Sequence, residues 1–508
     1  MNLDLENLPS DTALLHDLVR DMAAAVAQQN GEIERLNLII QKLQRAQFGR
    51  RSERLDPDQL TLGLEDVETD RAHAEAAREP SAKPKDSKPR RKPLPDHLPR
   101  EEVVLDTPAE ACPCCGGALH SIGESVSEML DWVPAQVRVI RIRRPKYGCR
   151  ACATVHQAPA PERPIAGGLA TPALLAQVLV SKYCDHTPLY RQSQIFARHG
   201  VELDRSTLAG WVGGACWWLD ALHDKLCANV FASDHLFADD TPVPVLDPGR
   251  GRTKTGRLWV YARDQRPWGG SAPPAAVYVF APDRKAERPE SHLERFSGVL
   301  HVDGYAGFER LQARGNIVLA ACWAHTRRYF YEFFEGTGSP IAGEALRRIA
   351  ELYAIEERVR GQSPAHRMAE RRAFSRPLVD KMKLWLEQQL PQVPGRGKLA
   401  EAIRYALSRW HGLTRFLHDG RIELDTNPVE RAIRPVALGR KNHLFAGSDG
   451  GGERWATLCS LIETCKMNGV EPYAYLRDVL QRMVDGHPIN RLDELLPWNW
   501  RPAESVKI

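Results

Sequence analysis

Three acidic positions, far apart along 508 residues, have the side chains to hold divalent metal together: Asp239, Asp303 and Glu430. Asp239 and its neighbour Asp240 follow the apolar run His235-Leu-Phe-Ala, and Asp303 follows Gly298-Val-Leu-His-Val. Glu430 lies in Asp425-Thr-Asn-Pro-Val-Glu-Arg, which reads as a helix start. Hard cations take oxygen ligands. Two Mg2+ (or Mn2+) ions about 3.5–4 Å apart can activate an attacking oxygen, stabilise a leaving oxygen and relieve charge on the phosphorus between them. Asp303 and Glu430 would each hold one ion and Asp239 would bridge both. Each acid also has a structural reading. Asn427 is a good N-cap, Pro428 suits N1 and Glu430 then falls at N3, which is a capping box. Either Asp can be a turn residue at a strand end.

The elements that must position these acids follow from apolar periodicity. Residues 235–241, 256–262, 275–280, 298–305 and 316–322 read as strands, with a polar helix over 285–297. Three strands, a helix and a fourth strand is the order of an RNase H-like sheet. There, an acid on the first strand lies beside one at the end of the fourth. The third acid is expected from a later helix. Residues 340–420 read as helices, and the chain is helical again from 427.

A second chemistry belongs to cysteine. Cys112, Cys115, Cys149 and Cys152 form two CxxC pairs, which present four thiolates tetrahedrally to a structural Zn2+. Cys114 is a rival for Cys115. Val137–Arg143 alternates apolar and basic residues between the pairs, as a strand with one charged face does. Cys322 and His325 make a CxxH pair with no convincing second half in the sequence, which favours a packing role.

Residues 187–196 and 204–212, separated by His199-Gly200-Val201, read as two helices around a turn, with Ser206 or Asp204 as the second cap. That is a helix-turn-helix or a plain helical hairpin; in the first case Arg205 touches base or phosphate. Near the N-terminus Leu15, Val19, Met22, Val26, Gln29, Ile33, Leu36, Ile40 and Leu43 alternate in steps of four and three. Val and Ile fill every a position, which favours a parallel two-stranded coil. Residues 56–100 are polar, then rich in Pro and Lys. Seven basic residues stand against two acids from Lys83 to Arg100, which suits a solvated linker and phosphate contacts alike. Arg431, Arg434, Arg440 and Lys441 cluster after Glu430, and Arg327 and Arg328 follow the fifth strand. Guanidinium forks suit phosphate oxygens, so both sets read as DNA-strand clamps, with solvated helix faces as the alternative.

The chain resembles the transposases of the insertion-sequence-66 family over nearly its whole length. The resemblance rests on ADDTPVPVLDPGRGRTKTGRLWVYARD (238–264), HVDGYAGF (301–308), CWAHTRRYF (322–330) and DTNPVERAIRPVALGRKNHLFAGSDGGGERWA (425–456). It implies Asp239, Asp303 and Glu430 as a DDE catalytic triad, and a helical insertion that accounts for the 430 − 303 = 127 residues between the last two. The chain departs from the family pattern at Asp240, where Glu is usual, so either Asp of the pair stands as the bridging ligand. It departs also at Thr426, where Asn is usual.

The expected architecture is multidomain α+β. It comprises a coiled coil (1–55), a basic Pro-rich linker (56–100), a zinc-binding unit (101–160) and a helical, helix-turn-helix-like DNA-binding region (165–230). An RNase H-like α/β catalytic core follows in two parts (231–335 and 421–485), interrupted by a helical insertion (336–420) and ending in a C-terminal tail (486–508). The expected function is a DNA transposase that cleaves element ends and transfers the freed strand into target DNA. Its partners would be both DNAs, a second copy through the coil or a larger homo-oligomer and, as the resemblance implies, small accessory proteins of the same element. A DNA-binding regulator with an inactive nuclease fold and a structure-specific nuclease are the alternatives. No run of about 18 apolar residues is present, and the acidic start MNLDLENLPSD lacks the features of a signal peptide. A cytoplasmic, nucleoid-associated protein is expected, its eleven cysteines being ligands or buried thiols rather than disulfides.

Overall fold

The computed structural model describes residues 161–502 apart from 166–167, 248–251 and 444, and before them 137, 139–140, 146–148 and 155–157. The coiled coil, the basic linker and the cysteines Cys112, Cys114, Cys115, Cys149 and Cys152 lie outside the described residues. Strands β1 (Lys146–Gly148) and β2 (Val155–Gln157) form an antiparallel pair.

Three helices come next: α1 (Pro172–Tyr183), α2 (Leu189–Arg198) and α3 (Arg205–Phe231). Gly200, at φ +75°, makes the turn before α3; glycine alone adopts that region freely. The second helix is far longer than the segment 204–212 suggests. Leu208, Val212, Ala215, Leu219, Leu222, Leu226 and Val230 recur at three- and four-residue steps and are buried, so one face stays in the main core along its whole length. Asp204 holds the N-cap position, yet its side chain caps nothing.

The main sheet has five strands in the order β5-β4-β3-β6-β7. They are β3 (His235–Asp247), β4 (Arg252–Arg263), β5 (Ala275–Ala281), β6 (Gly298–Val302) and β7 (Ile317–Ala321). The first three are antiparallel, whereas β6 and β7 run parallel to β3. Helices α4 (Glu287–His292) and α5 (Ala306–Gln312) flank β6 in sequence. They cover one sheet face, where Trp259 meets Phe308 and His292 edge-on. The other face is covered by α12 (Asn427–His443), whose Ala432 carbonyl accepts from the Tyr278 hydroxyl.

β3 does not stop at its acids, as the sequence suggests; it runs six residues further than Thr241, through Pro242 and Pro244, to Asp247. Proline lacks a ladder donor and survives on an open edge. That edge exists here because β6 pairs with β3 only at 235–237. Beyond it, Ala446 bridges the open side through Leu246 N–H and the Pro244 carbonyl. The outer edge at β5 is closed by α13 (Asp449–Met467). Ser460 Oγ accepts from Tyr278 N at 2.8 Å, and Thr464 Oγ1 both accepts from Ala276 N and donates to its carbonyl. Two hydroxyls thus satisfy backbone groups that an exposed edge leaves open to aggregation. After α14 (Pro472–Val484), the terminal segment is packed: Leu492, Leu495, Leu496 and Trp500 are buried in the same core.

Between β7 and α12 lie α6 (Trp323–Thr337), α7 (Pro340–Val359), α8 (Pro364–Glu370), a π-helical turn (Arg371–Ser375), α9 (Arg376–Gln389), α10 (Lys398–Ser408) and α11 (Trp410–Leu413). They share their own apolar cluster, including Trp323, Phe330, Ile349, Met382, Ile403 and Phe416. A buried ionic network ties it to the sheet. Arg367 and Arg371 are 1% and 0% exposed and pair with Glu356, and Arg367 also pairs with Glu423. Glu423 N–H meets His301 Nε2 at 3.1 Å, and His301 Nδ1 lies 3.2 Å from the Leu236 carbonyl. The segment that leads into α12 is therefore fixed to β3 and β6. Among the described residues, no helix is long and apolar enough to cross a membrane.

Candidate active site

The β3–β6 pairing ends at Phe237↔His301, whose rings stack with centroids 4.3 Å apart. Side chains alternate along a strand. Two residues further, the same face receives Asp239 from β3 and Asp303 from just beyond β6. Asp239 pairs with Val260 and Asp240 with Trp259, so the two neighbours face opposite ways. Asp239 turns to the α12 side. Asp240 turns to the α4–α5 side, where Arg257 holds one oxygen at 2.9 Å and Arg284 the other at 2.8 Å. Asp240, with a side chain 1% exposed, has both oxygens committed to guanidinium groups.

The turn after Asp303 is built tightly. Asp303 Oδ1 accepts from Tyr305 N at 2.9 Å, the Asp303 carbonyl accepts from Tyr405 OH at 2.6 Å, and the Gly304 carbonyl accepts from Arg409 at 3.0 Å. Gly304 has φ +109°, and a Cβ there would stand 2.6 Å from Arg409 Nε and 2.8 Å from Tyr405 OH. Residues from the helical segment, a hundred positions away, thus lock the loop of the second acid.

Glu430 is not the capping residue that the sequence allows. The helix starts at Asn427, one residue earlier in register than a cap at Asn427 requires. The Asn427 N–H and side-chain amide both donate to Asp425 instead. Glu430 Oε1 accepts from Thr426 Oγ1 at 2.9 Å. Trp323 N–H donates to the Leu424 carbonyl at 2.8 Å, which brings this segment beside the end of β7. Cys322 and His325 therefore meet Glu430. The three ligand atoms lie within 4.8 Å of one another, with His325 Nδ1 3.8 Å from Glu430 Oε1. Glu430 lies some hundred residues beyond the CxxH pair, so no local pattern could reveal that they meet.

The charges record this convergence. Asp239 is pushed up from 3.8 to about 7, first by burial, then by the Asp303 carboxylate, with Asp240 and Glu430 adding to it. Asp425 rises to about 6, mainly by burial. Burial pushes the Cys322 thiol up to about 11 and lowers the His325 imidazole. A buried carboxylate raised by like charges is a site that a cation would relieve. The donors Asp239, Asp303 and Glu430 are all oxygens, the set that hard divalent ions take, so these residues fit such an ion.

The basic residues divide. Arg327, Arg328, Arg434 and Lys441 are exposed, Arg327 lying over the Tyr331 ring. Arg205 is exposed at the first turn of α3. Arg431 reaches Asp264 at 3.9 Å, and Arg440 donates to the Pro242 carbonyl. Arg440 thus serves in part to hold α12 on β3. Thr426, Tyr405, Arg409, Arg257 and Arg284 are the residues around the acids that the sequence reading passes over as site elements. Their partners are distant in the chain, and only Thr426 left a sign, as a departure from the family pattern.

Comparison with known proteins defines the class first: this is a transposase-type chain. The family described as Transposase IS66 family matches residues 167–454. The IS66 C-terminal element matches 460–498, the zinc-finger binding domain of transposase IS66 matches 109–153, and Transposase C of IS166 homeodomain matches 35–103. The chain belongs to the IS66 transposase family. Relatives in Sinorhizobium fredii (strain NBRC 101917 / NGR234) include the uncharacterized protein y4jD, 45% identical over 99% of this chain and 98% of its own length. The uncharacterized protein y4qI is 44% identical over 95% and 92%. The zinc-finger match supports zinc in the cysteine unit, and the family implies a divalent metal and DNA as partner.

Proposed function

We propose that this protein is a DDE-type DNA transposase with an RNase H-like core, in which Asp239, Asp303 and Glu430 carry the metal-dependent cutting and joining of DNA. The observation that carries the reading is Asp239 and Asp303 on one sheet face with Glu430 presented from α12, felt by Asp239 as a rise to about 7. The strand order β5-β4-β3-β6-β7 supports the fold assignment. Two divalent ions, Mg2+ by the oxygen donor set, would supply activation of the attacking oxygen and relief of charge at phosphorus.

The protein's own residues do the rest. Thr426 orients Glu430, and Tyr405 and Arg409 hold the Asp303 turn. Arg327, Arg328 and Arg434 offer guanidinium forks to DNA phosphates, joined by Lys441, Arg431 and Arg440 along α12 and by Arg205 on α3. Water attacks the phosphorus at an element end and the bond to the 3′ oxygen breaks, leaving a 3′-hydroxyl and a 5′-phosphate. That hydroxyl then attacks a target phosphodiester in line, displacing the target's own 3′ oxygen. Cys112, Cys115, Cys149 and Cys152 would hold a structural zinc. The N-terminal coil would join two copies so that both element ends meet, with accessory proteins of the same element as further partners.

The test is incubation of the full chain with labelled element-end DNA and Mg2+. Cleavage and joining by the wild type, lost in Glu430→Gln with DNA binding retained, supports the proposal. Equal cleavage by both removes Glu430 from the site.

A further inference from the structure

We propose that Cys322, His325 and Glu430 form a second metal site, selective for a borderline-soft divalent ion of the zinc class. Cys322 is the N-cap residue of α6 and His325 lies in its first turn, so one helix end presents sulfur and nitrogen together. Glu430 arrives from α12. All three ligand atoms lie within 4.8 Å of one another. Tetrahedral zinc with bonds of roughly 2.0–2.3 Å sets its ligands roughly 3.5 Å apart, and the 3.8 Å between His325 Nδ1 and Glu430 Oε1 approaches that already.

Hydrogen bonding alone leaves the cluster incomplete. His325 Nδ1 is buried with no hydrogen-bond partner among the described residues. The Thr426 hydroxyl faces both Glu430 Oε1 at 2.9 Å and Cys322 Sγ at 3.4 Å, but it has one proton and serves one acceptor at a time. A cation among the three atoms satisfies all of them. Thiolate and imidazole select zinc-like ions, whereas Mg2+ prefers oxygens throughout. Three protein ligands leave a fourth position for water.

The site shares Glu430 with the carboxylate centre. On the transposase reading above, which this consequence rests on, zinc there withdraws Glu430 from the reaction and opposes Mg2+. The site itself does not depend on that reading.

The test uses the full chain, first given one equivalent of Zn2+ for its cysteine unit and then titrated with more Zn2+ in a calorimeter. Wild type takes up a further equivalent. Cys322→Ser and His325→Gln bind it at least about tenfold more weakly. His325 is partly exposed, so His325→Gln retains the fold, as circular dichroism checks. The same uptake in all three proteins overturns the site. In parallel, cleavage of element-end DNA at fixed Mg2+ is followed as Zn2+ rises, each protein against its own zinc-free rate. Wild type is inhibited and His325→Gln resists. Zinc uptake with cleavage unaffected overturns the sharing of Glu430. No cleavage under any condition removes the transposase reading and leaves the uptake result standing.

Discussion

Thr426 Oγ1 donates to Glu430 Oε1 at 2.9 Å, so the third acid is held by the hydroxyl one turn before it. A hydrogen bond to a charged group contributes about 1.5–3 kcal/mol, roughly ten- to a hundredfold in rate. Thr426→Val is expected to slow end cleavage by about that factor and raise the Mg2+ concentration needed for half-maximal rate. Thr426→Ser should restore both. Equal kinetics for the two variants would leave the hydroxyl without a positioning role.

Gly304 offers a sharper probe of the second acid. Its φ of +109° and the 2.6 Å approach of Arg409 Nε to a would-be Cβ make Gly304→Ala both strained and crowded. Strain of this kind costs on the order of 1–3 kcal/mol. Cleavage should fall more than stability does, because the displaced turn carries Asp303. Gly315→Ala is the control: it has φ +79° and, among the described residues, nothing within 4 Å of an added Cβ. It should lower the melting temperature modestly and leave cleavage intact.

The buried pairs of Arg371 with Glu356 are a stability prediction. Removing Glu356 leaves the Arg371 guanidinium charged and buried with the Phe416 and Asp419 carbonyls as its remaining acceptors, at about 3–5 kcal/mol. Glu356→Gln should lower the denaturation midpoint accordingly, and a shift near zero in chemical denaturation would refute it.

Asp239 makes the metal-free protein sensitive to pH. Its pKa is raised from 3.8 to about 7 in the folded chain. Between those values the folded form binds more protons than the unfolded one, so stability falls as pH rises through that window and levels off above it. In chelator, Asp239→Asn should raise the melting temperature at about pH 8 and change it little near pH 4. Divalent metal should narrow the gap at the higher pH. A wild-type stability that climbs with pH over this window, with Asp239→Asn tracking it, would contradict the environment described for Asp239.

How much of this is legible in the sequence varies by element. The apolar runs at 235–238 and 298–302 announce β3 and β6, and the acids after them announce where chemistry could sit. The continuation of β3 through Pro242 and Pro244 is not legible, because it depends on a strand edge left open by the short pairing with β6. The facing of Asp239 against Asp240 is likewise a matter of register: adjacent acids look equivalent until Val260 and Trp259 are known as their partners. Glu430 carries a helix-cap motif in its local sequence. Only the true helix start, and Asp425 as the residue that meets Asn427, separates it from that role. Cys322 and His325 are visible as a pair, and their link to Glu430 exists only because Trp323 pairs with Leu424.

On the proposed function Asp239 belongs to the reacting centre. Single-turnover cleavage of labelled element-end DNA in Mg2+ by wild type and Asp239→Asn, with DNA binding measured on the same samples, tests it most directly. Loss of several kcal/mol of charge stabilisation predicts a fall of about a thousandfold with binding unchanged. Cleavage by Asp239→Asn at the wild-type rate would remove Asp239 from the reacting centre.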